Sequence, residues 1–101
     1  MITIEWIRSQ VRDELYYLSR HADQERQNDN LTVLEIEEAL HRGLILEYYE
    51  DTGRGASCLV VGFTNDGKPI HAVIGKRGDK LAVVTVYIPT PPMFKNPYER
   101  G

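Results

Sequence analysis

The sequence contains a single cysteine, Cys58, among its 101 residues, so an internal disulfide framework is excluded. It also lacks any apolar run near the roughly 20 residues that a membrane-spanning helix requires. The first residues carry neither the basic segment nor the apolar segment of a secretory signal. A chain of this length is the size of one small domain. We therefore expect one soluble domain over residues 1–101, located in the cytoplasm, with no membrane partner.

Sequence motifs for cofactors, metals and covalent nucleophiles are absent as well. The chain has no Gly-rich dinucleotide loop, no Walker loop and no serine nucleophile elbow. No two cysteine or histidine residues have the spacing of a zinc site. The sequence therefore predicts no cofactor and no bound metal, so that any catalysis has to rest on ordinary acid–base side chains.

Charge is distributed unevenly along the chain. The formal net charge is −3, but residues 1–52 carry −7 and residues 53–101 carry +4. The basic half is compatible with a polyanionic substrate, whereas the acidic half favours a protein partner. Asymmetry between the halves of a chain is common, so it does not by itself identify a nucleic-acid-binding protein.

Apolar residues at spacings of three and four predict helices in the first part of the chain. The predicted ranges are 3–13, 21–28 and 33–42, with a stretch at 16–19 that fits an extended conformation at least as well as a helix. The third helix has the clearest signal, because Thr32 and Glu35 have the spacing of a capping box. Gly43 then stands where a helix commonly ends in a left-handed residue.

From Leu44 onward the apolar period changes to two, which predicts β-strands. The predicted strands are 44–50, 57–64, 69–75 and 81–88. Short turn sequences with glycine, Asn65-Asp66-Gly67 and Arg77-Gly78-Asp79, join consecutive strands as hairpins. The proline-rich tail, 89–101, should lie extended over the body. The expected fold is α+β, with a helical part, 1–43, packed on one face of a four-stranded antiparallel sheet, 44–88.

Side-chain alternation along each strand predicts which residues share a face of the sheet. The residues predicted to face the helices are Leu44, Leu46, Tyr48, Leu59, Val61, Phe63, Ile70, Ala72, Ile74, Ala82, Val84, Val86 and Ile88. The opposite, helix-free face would carry Glu47, Tyr49, His71, Thr85 and Tyr87, with Arg77 at its rim. This second set is the group of side chains in the sequence that best fits a chemical site.

Cleavage of RNA by acid–base chemistry requires a base for the 2′-hydroxyl, an acid for the leaving oxygen and a cation for the developing phosphorane charge. His71 or Glu47 is a candidate base, and Tyr87 or His71 is a candidate acid. Arg77 or Lys76 would supply the cation. The alternative explanation is structural, because any antiparallel sheet with one wetter face carries such residues.

Four further residues are candidates for contacts with a substrate or for catalysis. Tyr49 and Thr85 lie on the predicted helix-free face, and tyrosine rings stack on unpaired bases. His21 stands at the start of the short second helix, where a capping or packing role competes with a catalytic one. Arg26 lies within the same helix and is a candidate for substrate binding.

Six short blocks in the sequence resemble, in their order, the bacterial domain of unknown function 4258 family. The blocks are Ser19-Arg20-His21-Ala22-Asp23, Leu31-Thr32, residues 43–51, residues 57–60, residues 67–71 and residues 85–89. The similarity covers about residues 15–101. Many members have arginines where this chain has Glu25 and Asp29, and members tend to have a tail tryptophan where it has Phe94.

This resemblance implies a RelE-like toxin fold, in which helices pack on a small antiparallel sheet. It also implies a partner, since relatives are often encoded beside a YgiT-type zinc-finger protein, as MqsR-like RNase toxins are beside their antitoxins. The family-matching positions with chemistry are His21, His71, Thr85 and Tyr87. If the missing arginines bind RNA in relatives, their replacement here bears on whether this chain is a nuclease.

Two functions of different classes therefore follow from the sequence. The first is the toxin of a bacterial toxin–antitoxin pair, a metal-independent endoribonuclease that is neutralised by a zinc-finger antitoxin. The second is a non-catalytic protein-binding module derived from such a toxin. The basic half with its tyrosine and histidine residues favours the first, and the acidic helical half favours the second.

Overall fold

The computed structural model describes the whole chain, residues 1–101, and contains three helices and seven strands. The helices are α1 (Ile4–Arg12), α2 (Arg20–Asn28) and α3 (Val33–His41). The strands are β1 (Tyr16–Leu18), β2 (Leu44–Tyr49), β3 (Ser57–Phe63), β4 (Pro69–Arg77), β5 (Lys80–Tyr87), β6 (Phe94–Asn96) and β7 (Glu99–Arg100). All three predicted helices and all four predicted strands are confirmed to within two residues at each end. No helix has the length and apolar character that a membrane span requires.

The main sheet has five strands in the order β1-β5-β4-β3-β2, and it is mixed. Strands β2 to β5 form the predicted antiparallel meander. The four-stranded, purely antiparallel sheet of the sequence prediction is wrong, because β1 joins the edge of β5 in parallel, with Tyr16 opposite Leu81. The amide of Leu81 donates to the carbonyl of Leu15, and the amide of Ser19 donates to that of Val83. A three-residue strand has too few side chains for its periodicity to reveal its pairing.

The helices cover one face of the sheet and form the main core with it. The fully buried core residues of the helices are Ile7, Ala22, Ile36, Ala39 and Leu40, and those of the sheet are Cys58, Val60, Ile70, Ala72, Ile74, Leu81, Val83 and Val86. Helix α3 lies directly on β3, since a Cβ added at Gly62 would lie 1.9 Å from the carbonyl oxygen of Ala39. Only glycine permits this approach.

The start of α3 is fixed by the predicted capping box. The Thr32 hydroxyl accepts from the amide of Glu35 at 3.1 Å, and the Glu35 carboxylate accepts from the amide of Thr32 at 2.9 Å. Two of the unpaired amides at the helix N-terminus are thereby satisfied.

Replacing Thr32 with Ala should lower the free energy of unfolding by about 1 kcal/mol, because one amide of α3 loses its acceptor. Urea unfolding followed by circular dichroism measures the change. Thr52→Ala is the matched control, since Thr52 lies in an exposed loop. Equal stability of the two variants would show that the cap contributes nothing.

Two β-bulges change which side chains face the helices. In β5 the register passes from Val73 opposite Thr85 to Ile74 opposite Val83, so Val84 is the extra residue. The prediction that Ala82 and Val84 face the helices is therefore wrong, and the alternate residues, Leu81 and Val83, belong to the core there. Beyond the bulge the prediction is right, because Val86 belongs to the core and Ile88 packs against it.

In β2 the bulge is at Leu46. The residue before it, Ile45, pairs with Val60, and the residue after it, Glu47, pairs with Leu59. Ile45 packs against the helix-side core, whereas Leu44, which was predicted to face the helices, is 56% exposed. Tyr48 does lie on the helix side, where its hydroxyl donates to the carbonyl of Ile2. A bulge shifts the alternation of side chains by one residue, so a face assigned on one side of the bulge cannot be extended to the other side by counting every second residue.

The prediction for β3 is wrong throughout, because Cys58 and Val60 face the helices and Leu59, Val61 and Phe63 face the opposite side. Leu59 and Val61 are nonetheless buried. The apolar run 58–61 is buried on both faces, so its pattern does not distinguish the two sides.

The C-terminal tail covers this second face. It lies over the body as predicted, but as a hairpin of β6 and β7 rather than as a featureless extended segment. Phe94 is only 2% exposed and packs edge-on against the ring of His71, with the ring centroids 4.4 Å apart. The helix-free face of the sheet is therefore buried under the hairpin at its centre.

Candidate functional site

The centre of the candidate site is the cross-strand pair of His71 and Tyr87. The two residues are direct partners in the β4–β5 register, and Nδ1 of His71 lies 3.3 Å from the hydroxyl of Tyr87. Thr85 is opposite Val73 on the same face, away from the helices. The prediction that His71, Thr85 and Tyr87 project from one side of the sheet, with His71 beside Tyr87, is confirmed.

The C-terminal hairpin encloses His71 completely, with no part of the side chain exposed. The helix-free face on which the sequence predicted His71 is therefore a buried face at this position. Its Nε2 lies 2.6 Å from the carbonyl oxygen of Pro97, which only accepts, so Nε2 carries the proton. Nδ1 then accepts from Tyr87. Burial lowers the pKa of His71, against the opposing effects of the Pro97 carbonyl and Glu47, and the imidazole is neutral at pH 7.

A second cluster joins the hairpin to the sheet beside His71. The guanidinium of Arg100 binds both carboxylate oxygens of Glu47 at 2.8 Å, and the hydroxyl of Tyr49 donates to Glu47 at 2.8 Å. Hydrogen bonds from Arg100 and then Tyr49 lower the pKa of Glu47 to about 2. Burial, followed by the hydrogen bond to Glu47, raises the pKa of Tyr49 to about 12. Glu47 is thus a poor base, and it holds Arg100 in place.

The charge of Arg100 acts on the pKa of both His71 and Tyr87, and sequence reasoning missed this residue. Its guanidinium lies 5.0 Å from the ring centroid of Phe94, which packs on His71. It stands at the end of the proline-rich tail, 53 positions from Glu47. No local pattern connects the two residues.

The predicted cations lie elsewhere. The ammonium of Lys76 lies 5.7 Å from the ring centroid of Trp6 in α1, on the helix side. Arg77 shares the face of His71 but stands six residues along β4, about 20 Å at the rise of an extended strand. The prediction that Arg77 or Lys76 reaches a phosphate held between His71 and Tyr87 is therefore wrong.

The candidates in α2 make local contacts. His21 is exposed, with Nε2 3.3 Å from a carboxylate oxygen of Glu25. Arg26 pairs with Asp23 at 2.8 Å and donates to the carbonyl of Leu31, which braces the end of the helix. Neither side chain is brought to His71.

Glu25 in α2 and Asp29 at its end, the two acidic residues at positions where many family members have arginine, have a structural role. Glu25 accepts from the amide of Val86 at 3.1 Å, and Asp29 accepts from the amide of Ile88 at 3.1 Å. These amides lie along the edge of β5, past the residues that pair with β1. The carboxylates thus cover an edge that would otherwise present unpaired donors.

Metal-ligating and nucleophilic side chains are not gathered at a site. No group of three or more histidine, cysteine, aspartate or glutamate side chains is placed to hold a metal ion. Cys58 is buried in the helix-side core, and burial raises the pKa of its thiol to about 11. The polar and charged side chains gathered around Phe94 are His71, Tyr87 and Arg100.

Comparison with known proteins gives one match. A family model described as a domain of unknown function (DUF4258) matches residues 18–88, a range that includes α2, α3, the main-sheet strands β2 to β5 and both His71 and Tyr87. The search of curated proteins and the search of solved structures each found no match.

Proposed function

The chain belongs to the DUF4258 family, and we propose that it is a metal-independent endoribonuclease of RelE-like type, the toxin of a bacterial toxin–antitoxin pair. The observation that carries the proposal is the contact of a neutral, buried histidine with a tyrosine, next to an arginine that a carboxylate holds in place. These groups supply the base, the acid and the cation that RNA cleavage needs.

The proton transfers follow from the two tautomers of His71. In the tautomer with hydrogen on Nδ1, His71 donates to the Tyr87 oxygen and leaves Nε2 free as the base. The 2′-hydroxyl gives its proton to Nε2 as its oxygen attacks phosphorus. Nδ1 passes its proton to Tyr87, and Tyr87 gives its own proton to the leaving 5′-oxygen as the P–O5′ bond breaks. The products are a 2′,3′-cyclic phosphate and a 5′-hydroxyl.

At the end of this relay His71 carries its proton on Nε2, which is the tautomer inferred from its contact with Pro97. The Pro97 carbonyl occupies the place of the reacting 2′-hydroxyl. Pro97 lies in the turn between β6 and β7, whereas Arg100 is fixed by Glu47. Movement of the turn alone would admit RNA and leave the cation beside the phosphate.

The complete burial of His71 favours the second function, a non-catalytic binding module, in which His71 and Tyr87 only support the hairpin. Incubating the purified chain with single-stranded RNA separates the two functions. The nuclease should yield fragments that end in a 2′,3′-cyclic phosphate in the presence of a chelator. Intact RNA after incubation with the folded chain would favour the binding module.

We further propose an antitoxin partner, of the YgiT zinc-finger type that the family resemblance implies. Expression of the chain alone should slow bacterial growth, and co-expression with the neighbouring open reading frame should restore growth and yield a stable complex. The complex should protect the backbone amide of Tyr98, next to Pro97 in the turn of the hairpin, from hydrogen exchange. Harmless expression at high level with no complex recovered would contradict this proposal.

A further inference from the structure

We propose that a groove at the end of the far face of the sheet binds the sugar–phosphate backbone of single-stranded RNA, an inference that rests on the function proposed above. The groove has a volume of about 470 Å³ and lies where the loop after β2 meets β3, β4 and β5. Arg54 and Arg77 line it, together with Tyr49, Ser57 and Val73. It is separate from the pair of His71 and Tyr87.

The two arginines give the groove a positive charge that no carboxylate neutralises by contact. Neither Arg54 nor Arg77 forms an ion pair, and Arg77 only donates to the carbonyl of Lys76. The nearby carboxylate of Asp51 accepts from the amides of Gly53 and Gly55 at 2.8 Å, and Arg77 acts on it through its charge without a direct contact. Glu50 is the one acidic residue of the lining. The free guanidinium donors suit phosphate oxygens, which they bind in bidentate geometry.

The side chain of Arg77 lies in space that is open because residue 75 is a glycine. A Cβ added at Gly75 would lie 2.6 Å from Nη1 of Arg77 and 3.0 Å from its Cζ, so the guanidinium occupies the space above Gly75. The backbone φ of Gly75 is not in the left-handed region. Glycine at this position therefore serves to make room for the arginine rather than to permit a turn.

The groove leads from the end of the sheet towards the candidate active site. Tyr49 lines it, and the hydroxyl of Tyr49 binds Glu47, which holds Arg100. Val73 lies on β4 between His71 and Arg77, two residues from His71, and also lines the groove. A strand with its reacting phosphate at His71 would thus reach Arg77 after a few nucleotides. A single-stranded ligand fits this path because its backbone can follow the surface of the sheet.

The test is fluorescence anisotropy with a labelled 2′-O-methyl RNA strand, which has no free 2′-hydroxyl and stays intact with the unmutated chain. Arg54→Ala and Arg77→Ala should each weaken binding by about tenfold, the effect of losing a charged hydrogen bond. Each should also reduce the slope of log K against log salt by about 0.7, as for one lost phosphate contact on a single strand. Gly75→Ala should weaken binding with no change in charge, because its methyl group displaces Arg77.

Arg42→Ala is the matched control, since Arg42 is exposed at the end of α3 and forms no ion pair. Equal affinities for Arg42→Ala, Arg54→Ala and Arg77→Ala would overturn the inference, and so would equally tight binding of a mononucleotide. If RNA is cleaved but Arg54→Ala and Arg77→Ala leave cleavage of dilute RNA unchanged, the proposal of an RNA-binding groove is rejected and the proposal of nuclease activity is kept. If RNA is not cleaved but both arginine substitutions still weaken binding of the RNA strand, the proposal of nuclease activity is rejected and that of the RNA-binding groove is kept.

Discussion

Replacing Tyr87 with Phe should reduce RNA cleavage by about 10²–10⁴-fold, the usual contribution of a general acid–base group. The substitution removes only the hydroxyl that relays the proton between His71 and the leaving oxygen. The rest of the ring keeps its contacts with His71 and Phe94. Initial rates with single-stranded RNA, measured under conditions that give full folding, provide the comparison.

Two controls separate chemistry from stability in this experiment. Tyr17→Phe removes the same atom from an exposed tyrosine of β1 and should leave the rate unchanged. Tyr87→Phe itself should cost about 0.5–1.5 kcal/mol of stability, the net contribution of one hydrogen bond. An undiminished rate for Tyr87→Phe would remove Tyr87 from the mechanism. A loss of activity that only follows a loss of folded protein would assign it a structural role.

His71→Ala should abolish cleavage too, but this variant is less informative. His71 has no exposed surface and packs against Phe94, so its truncation leaves a cavity under the hairpin. We expect a stability loss of about 2 kcal/mol or more, in contrast to the small loss that an open sheet face would give. His41→Ala, at an exposed position at the end of α3, serves as its control.

The parts of the fold that the sequence predicts are those with local causes. Helix α3 begins at its capping box because Thr32 and Glu35 satisfy amides within one turn. The hairpin between β4 and β5 follows from the Arg77-Gly78-Asp79 turn, with Gly78 at φ +62°. That turn also brings His71 opposite Tyr87, which is why the pair at the centre of the site was predictable.

The features that the sequence does not reveal are of two kinds. Some leave the apolar pattern unchanged, and others depend on contacts between distant parts of the chain. The bulges at Leu46 and Val84 insert one residue without any change in apolar character, so the alternation appears unbroken. The hairpin of β6 and β7 covers His71 through Phe94 and Pro97, and the proline-rich tail gives no sign in its sequence of this packing position. The same hairpin brings Arg100 to Glu47, a contact that the sequence does not reveal, so the cation was predicted to be Arg77 or Lys76.

Replacing Phe94 with Ala should lower the free energy of unfolding by about 3–5 kcal/mol, the usual cost of truncating a buried aromatic residue. Phe94 is 2% exposed, its ring lies edge-on to His71, and the Arg100 guanidinium packs on it. It is therefore the apolar anchor of the hairpin. Urea unfolding measures the loss, with Met93→Ala as the control, since Met93 is the neighbouring residue and 63% exposed.

The same variant distinguishes local opening of the hairpin from loss of the whole fold. In the unmutated chain diethyl pyrocarbonate should modify the exposed His21 and His41 but not the buried His71. In Phe94→Ala, His71 should become reactive at urea concentrations at which the far-ultraviolet circular dichroism is still native, because the hairpin has lost its apolar anchor and only two residue pairs join β6 to β7. Protection of His71 up to the global transition would show that the hairpin does not open separately. RNA would then have no route to the site, and the binding module would be the better account of this protein.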